Sequence, residues 1–482
     1  MTNLVAALKE ILDSDRVSTG TSIRAQHSRD YSYHRPCLPD VVVFPETTEE
    51  VSRILALASA ERIPVVPFGQ GSSLEGHIIP IHGGISLDFG RMNRLVDLKP
   101  HDLTVRVQVG MTRSELNRNL GPHGFFFPVD PGADASLGGM AATNAAGSEA
   151  LRYGAMRRQV LGLEAVVANG TVIHTGGRTL KSSAGYDLTG LLVGSEGTLA
   201  VITELTLRIY GLPDQVVAVH ATLPNLAAVG EVAGELTALL PTATRIELMD
   251  SHAIEAVNRI EHTEYPSAPT LLLELSGQQQ AAIQGDLETA QEILAAIGGT
   301  VWAVVRDASG RDRLWSIRHR AALAIMADAQ TSRHVSTDVA VPLTELAGAL
   351  DHAQTTLDQW RIRGAMVGHA GDGNFHVMLP LGDFPSDLER ARRCQDAIVQ
   401  YALAHGGTCS GEHGIGMGKI SALRQERGAA YSLLIGIKQL WDPNNILNPG
   451  KVVDADQLNN PPLEGRGFFK EALREKDSPK NS

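Results

Sequence analysis

Three stretches of glycine, serine and alanine, each set beside an apolar run, restrict what the first 210 residues can fold into. PVVPFGQGSSLEG (64–76) places a small-residue turn directly after a run of strand type. DPGADASLGGMAATNAAG (130–147) is almost wholly small, and GYDLTGLLVGSEGTLAVI (185–202) repeats the theme ahead of another strand. Successive backbone N–H groups in such a turn form a nest that can hold a pyrophosphate. Small side chains also let backbone lie against a flat ligand. Any one of these stretches reads equally well as an ordinary turn or as close helix packing. The spacing fits neither GxGxxG nor GxxxxGK[ST], so neither nucleotide fingerprint applies. Three of them in one half of a chain are hard to attribute to packing alone.

The surrounding text alternates strand and helix. VVVF from 41, a helix opened by Thr47-Thr48-Glu49-Glu50 read as a capping box, and PVVPF make a βαβ opening. ISLDF and TVRVQV predict short strands, and LEAVVANGTVIH a hairpin about Asn169-Gly170. Leu4, Leu8, Ile11 and Leu12 recur at helical spacing and predict a helix at the start. Beyond Pro213 come VVAVHATL, a long helical stretch, LLLEL, a helix near 280–297 and VWAVV, a second α+β unit. The fold class is α+β with three parts: 1–212, 213–405, and a C-terminal segment 406–482 that returns to the first and ends in a polar, loosely held tail after Asp454.

Charge and cysteines exclude several classes. With 42 Lys and Arg against 54 Asp and Glu the net charge is −12, and no basic stripe exists to neutralise nucleic acid. Cys37, Cys394 and Cys409 are an odd set without CxxC spacing, which speaks against a disulfide framework and for a reducing compartment. No run approaches the roughly 20 apolar residues of a membrane span, and the acidic start is unlike a targeting peptide. The expectation is a cytoplasmic protein, with peripheral membrane contact left open.

The chemistry concentrates in two late stretches. AMVGHAGDGNFHVM (365–378) reads as a hairpin with His369 and His376 facing each other across its neck. By themselves they are either hydrogen-bonded core histidines or ligands of one cation. CSGEHGIGMGK (409–419) sets Glu412 and His413 side by side among glycines. Glu412 can complete a three-ligand site with open positions, of the kind that takes Zn²⁺ or Mn²⁺. Neighbours on an extended backbone point in opposite directions, so His413 is free for proton transfer.

PFGQGSSLEG, DPGADASLGGMAATNAAG, RYGAMR and GYDLTGLLVGSEGTL together resemble the FAD domain of the vanillyl-alcohol oxidase type. With HSRDYS, DVVVFP, GHAGDGNFH, GTCSGEHGIGMGK and NPGKV, nearly the whole chain resembles the flavin-dependent, cytochrome-type D-lactate dehydrogenases. The resemblance implies FAD on Pro67, Gly69, Gln70, Gly71, Ser72 and Ser73. Pro131, Gly132, Ser136, Gly138, Gly139, Thr143, Asn144, Gly147 and Tyr153 would follow from the second stretch, and Glu196, Gly197, Ile202 and Asn448 would complete the set. It also implies His369, His376 and Glu412 as metal ligands, His413 as base and Arg318 as the partner of a substrate carboxylate, with Arg320 as an alternative. Ser72 stands where some relatives carry a flavin-linking histidine, so FAD is expected to be dissociable. Ser336 stands near a lysine position of the hydroxyglutarate branch, which favours a monocarboxylate. Ala322 and Leu323 are smaller than some relatives' residues there and suggest a wide pocket.

The implied reaction is oxidation of a D-2-hydroxy acid, with electrons passed to an external quinone, cytochrome or electron-transfer flavoprotein. D-2-hydroxyglutarate or glycolate oxidation is the alternative within the class. A metal-dependent hydrolase and a non-catalytic flavin subunit are the alternatives outside it. A homodimer is left open.

Overall fold

The computed structural model describes residues 2–454, so the tail after Asp454 and the far end of the C-terminal segment lie outside the described residues. The expected βαβ opening is Val41–Val43, the helix Thr48–Glu61 and Val65–Phe68. The two strands are not neighbours, because Ile85–Asp88 lies between them and pairs with both in parallel. Thr47 caps the helix by accepting from the Glu50 N–H at 3.2 Å. The expected capping box does not close. The Glu50 carboxylate instead accepts from the Glu46 N–H at 2.7 Å and from buried Arg16 at 2.7 and 2.8 Å, because a buried guanidinium needs an anion more than a helix end needs a second cap. The first helix is Thr2–Lys9, shorter than the apolar spacing predicts; Ile11 and Leu12 follow it in a turn.

A second, antiparallel sheet runs Leu95–Lys99, Thr104–Gln108, Ala200–Arg208, Val160–Val167, Val172–Gly176. Its last pair is the hairpin expected at Asn169-Gly170, with Val166 opposite Val172 and Gly170 at φ +87°. Both sheets share one core with Ile446 and Leu447.

The second half is built on an eight-stranded antiparallel sheet whose main path runs Thr300–Val305, Gln215–Thr222, Thr270–Gly277, Ala243–Met249, Ala365–His369, Asn374–Pro380, His334–Ser336; Val339–Ala340 also pairs with Asn374–Pro380. The single long helical stretch expected before LLLEL is in fact two helices, Leu226–Leu239 and Ser251–Glu261, separated by Ala243–Met249. That strand is buried on both faces yet carries Arg245 and Glu247, so it shows neither the alternation of a half-exposed strand nor a continuous apolar run.

The chain end stitches the halves together. Cys409 packs in the core of the second half. Residues 446–448 then run beside the edge strand Val65–Phe68: the Val65 N–H donates to the Ile446 carbonyl at 2.7 Å, and the Asn448 N–H to the Val65 carbonyl at 2.8 Å. Buried Lys438 fixes this return by donating to the Thr198 and Leu447 carbonyls at 2.8 and 2.7 Å and to Asp442 at 2.5 Å. Lys438→Met leaves the Asp442 carboxylate buried without its counter-charge, so the unfolding free energy should fall by about 3–5 kcal/mol. The check is the urea midpoint of the variant against that of the natural chain.

Candidate active site

His369 and His376 lie on the hairpin Ala365–His369 and Asn374–Pro380 as expected, but not opposite one another. The register pairs His369 with Asn374 and Val367 with His376, so the two imidazoles are diagonal neighbours on one face, ring centroids 5.7 Å apart. Each Nε2 is 3.2 Å from the same atom, Glu412 Oε1. Each Nδ1 has its own partner: Glu247 Oε1 at 2.6 Å for His369, and the Thr337 carbonyl at 3.3 Å for His376.

This donor set fits a divalent cation. Outward nitrogens tied to a carboxylate or a carbonyl are the usual support of metal-holding histidines. One ligand atom from each of His369, His376 and Glu412 falls within 4.8 Å of the others, and Glu412 Oε2 is buried without a partner. Burial alone would lower His369 and raise Glu412. Their mutual attraction, with Glu247 acting on His369, reverses both shifts and holds His369 well above and Glu412 well below the ordinary range.

Glu247 belongs to the site although nothing in the sequence analysis singled it out. Fully buried on the unexpected strand, it joins His369 to Arg318, whose Nε donates to Glu247 Oε2 at 2.7 Å. The terminal guanidinium nitrogens of Arg318 make no hydrogen bond to the described chain, which keeps their donors available to a further acceptor. Arg320 is instead paired with Glu261. Ala322 and Leu323 face solvent, Leu323 at 73% exposure, so they give no support to a widened pocket. A lone glutamate inside TRIELM was the one available signal for Glu247, and it reads as a solvent-facing charge until the strand is seen to be buried.

Residues 411–413 form a bend and not the extended segment assumed above. Both Glu412 and His413 touch His376: Glu412 Oε1 lies 3.2 Å from its Nε2, and the His413 ring stacks on it at 4.7 Å and 7°. The bend is held from two sides. From the second half, Asp338 accepts from the Glu412 N–H at 3.1 Å, the His413 N–H at 2.8 Å and the Ser410 hydroxyl at 2.8 Å. From the first half, Glu196 accepts from the Ile415 N–H at 2.6 Å and the Gly416 N–H at 2.8 Å. Buried Lys419 lies 3.2 Å from both Asp338 and Glu75. Burial pushes the His413 imidazole down to about 3, so it is neutral.

Glu412 and His413 line the same cleft as the small-residue stretches. Of the residues expected at the cofactor, Pro67, Gly69 to Ser73, Pro131, Ser136, Gly138, Gly139, Thr143, Glu196, Gly197, Ile202 and Asn448 line it. The amide N–H groups of residues 69–73 donate to no acceptor among the described residues, which leaves the turn a ready nest for a pyrophosphate. The chain thus fits FAD. Phe68, His77, Phe89 and Val109 also line the cleft and were not foreseen.

Gly132, Asn144, Gly147 and Tyr153 are not among the lining residues. Asn144 ends the helix Leu137–Thr143 in a left-handed conformation and accepts from the Arg157 N–H at 2.8 Å. Gly147 has φ +118°, and a Cβ there would strike the Asp130 carbonyl, so its smallness serves chain crossing. The Gly132 N–H donates to Asp130 Oδ1 at 3.3 Å. Tyr153 packs edge-on to Phe126 and Tyr210 and faces a second crevice beside Trp315 and Arg245. Glu196 needs a finer correction: it lines the cleft, but its carboxylate is engaged by the loop amides.

Comparison with known proteins agrees with this geometry. Residues 39–176 match the FAD binding domain family, and residues 212–452 match the family described as FAD linked oxidases, C-terminal domain. A probable mitochondrial D-lactate dehydrogenase of Danio rerio is 43% identical over 462 residues, 95% of this chain and 93% of that protein. A mitochondrial cytochrome-type D-lactate dehydrogenase of Arabidopsis thaliana is 39% identical over 454 residues, 93% and 80% respectively. A glycolate oxidase subunit of Bacillus subtilis (strain 168) is 32% identical over 441 residues, 90% and 93%. Among solved structures, p-cresol methylhydroxylase with substrate bound superposes with a TM-score of 0.79 at 17% identity, covering 94% of this chain and 97% of that one. Alkyldihydroxyacetonephosphate synthase gives 0.74 at 19%, covering 93% and 86%. These likenesses establish the vanillyl-alcohol-oxidase-type fold. The chain therefore belongs to the family of FAD-linked oxidases that includes the flavin-dependent D-lactate dehydrogenases.

Proposed function

We propose that this chain oxidises a D-2-hydroxy acid, with D-lactate to pyruvate as the leading reaction. The observation that carries the reading is that Glu412, whose Oε1 lies 3.2 Å from the Nε2 of both His369 and His376, lines the same cleft as His413 and the unspent amides of residues 69–73. The names of the Danio rerio and Arabidopsis thaliana relatives support lactate as the acid.

Bound non-covalently, FAD would supply a hydride acceptor whose electrons an external quinone, cytochrome or electron-transfer flavoprotein would take, and a divalent ion, zinc or manganese, would supply Lewis acidity at the substrate oxygens. His369, His376 and Glu412 would hold the ion. Glu247 keeps His369 in the tautomer that presents Nε2, and the same carboxylate aims the Arg318 fork at the substrate carboxylate. His413 is unprotonated and neither ring nitrogen is hydrogen-bonded to the described chain, so it is available to take the hydroxyl proton. Ser336 offers only a hydroxyl, turned to the Thr337 carbonyl at 3.0 Å, which agrees with a monocarboxylate. A division of the chain near residues 212 and 405 and a cytoplasmic location with peripheral membrane contact belong to the same proposal. Among the described residues no helix is long and apolar enough to cross a membrane, and two relatives are named mitochondrial, so cell fractionation decides the compartment.

Anaerobic mixing of the yellow protein with D-lactate should bleach the flavin band, faster than with glycolate or D-2-hydroxyglutarate, and chelation should abolish the bleaching until Zn²⁺ or Mn²⁺ is restored. A colourless purified protein, or bleaching indifferent to chelation, would contradict the proposal. His413→Ala should retain metal and FAD and slow bleaching by about 10²–10⁴-fold. Glu247→Gln should weaken retention of the ion by about 10–100-fold, measured by metal analysis after dialysis against graded chelator.

A further inference from the structure

We propose that Glu196 is a positioning residue whose carboxylate holds the Glu412–His413 bend over the cleft, and that this side chain is not a ligand of the cofactor. The inference rests on the reading of that bend as the chemical centre.

Both carboxylate oxygens are committed. Oε1 accepts from the Ile415 N–H at 2.6 Å and Oε2 from the Gly416 N–H at 2.8 Å, while His77 Nε2 lies 3.3 Å from Oε2. The residue is 5% exposed, so these contacts form away from competing water. Burial alone would raise this carboxyl; the imidazole and the two amides outweigh burial and keep it ionised.

The backbone is shaped for the task. Glu196 has φ +54°, a left-handed conformation that side chains with a Cβ rarely take. Its N–H donates to the Ala142 carbonyl at 2.8 Å and its carbonyl accepts from Asn448 Nδ2 at 2.8 Å, which hold that conformation from both ends. On the loop side, a Cβ on Gly414 would lie 2.7 Å from both Glu196 Oε1 and His77 Nε2, so the close approach depends on glycine at φ +82°. A carboxylate turned toward a pyrophosphate would also face like charge, whereas one turned to two N–H groups meets complementary partners.

The bend consequently has one hold on each half of the molecule, Asp338 just before and at His413 and Glu196 just after it. Releasing the second leaves the base tethered on one side only. Glutamine at 196 can offer an acceptor to only one of the two amides and sets an NH₂ group against the other.

The test is hydrogen–deuterium exchange by mass spectrometry on the FAD-loaded natural chain and Glu196→Gln, with bleaching by D-lactate followed in parallel. FAD content should stay within about twofold, and exchange across residues 411–418 should become at least about tenfold faster. The limiting bleaching rate should fall about 10–100-fold, with the half-saturating D-lactate concentration changed by less than about threefold. Unchanged exchange in 411–418 overturns the proposal, and so does loss of FAD from a chain whose 411–418 amides remain protected. Should Glu196→Gln fail to fold, Glu196→Asp, which keeps the charge but is one methylene shorter, is judged by the same outcomes. Absence of bleaching in the natural chain would sink the functional reading alone, because the exchange comparison decides this one by itself.

Discussion

Asp338 and Glu196, two buried carboxylates from opposite halves of the molecule, grip backbone N–H groups on either side of Gly414 in one glycine-rich bend, and the arrangement of the site follows from that grip. A buried carboxylate without partners would be strongly unfavourable. Here the offset comes from amides that the bend leaves without secondary-structure partners, so each group satisfies the other's need. Lys419, placed between Asp338 and Glu75, neutralises what the amides do not. The result is a bend fixed at both ends by charge and not by a regular ladder.

That mode of fixation explains why the chemistry can sit at a seam. The histidine hairpin and Glu247 belong to the antiparallel sheet of the second half, while the unspent amides of residues 69–73 belong to the first. Neither half alone joins the His369–His376–Glu412 cluster to the cleft lined by the small-residue stretches. The bend carries two of the side chains at that junction, Glu412 toward the two imidazoles and His413 stacked on one of them, and both line the cleft. Glu247 extends the same logic outward, because one carboxylate orients His369 and steadies Arg318. Buried and nearly buried polar groups thereby become a directional device at the cost of desolvation.

Much of the site was legible because glycine and histidine leave strong local signatures. The 64–76, 130–147 and 409–419 stretches announce turns that approach something closely, and most residues expected along them do line the cleft. The failures share a cause. Asn144, Gly147 and Tyr153 stand in a small-residue or aromatic context that serves helix ends, chain crossing and ring packing equally well. Glu247 was invisible because a charged residue on a doubly buried strand erases the very alternation by which strands are recognised. Glu50 matched a capping motif, but its carboxylate was drawn off by Arg16, a partner 34 positions away.

The sequence by itself determined the α+β class, the glycine turns, the histidine hairpin and the adjacent Glu412–His413 pair, because each depends on backbone preferences acting over a few residues. Only the tertiary structure decided which carboxylate faces which partner. Glu196, Asp338 and Glu247 are ordinary acids in the chain, and they acquire roles when burial removes water and leaves distant amides, imidazoles and a guanidinium as their only available partners. Pairings of that kind span up to 220 positions along the chain, a range over which no local pattern carries information.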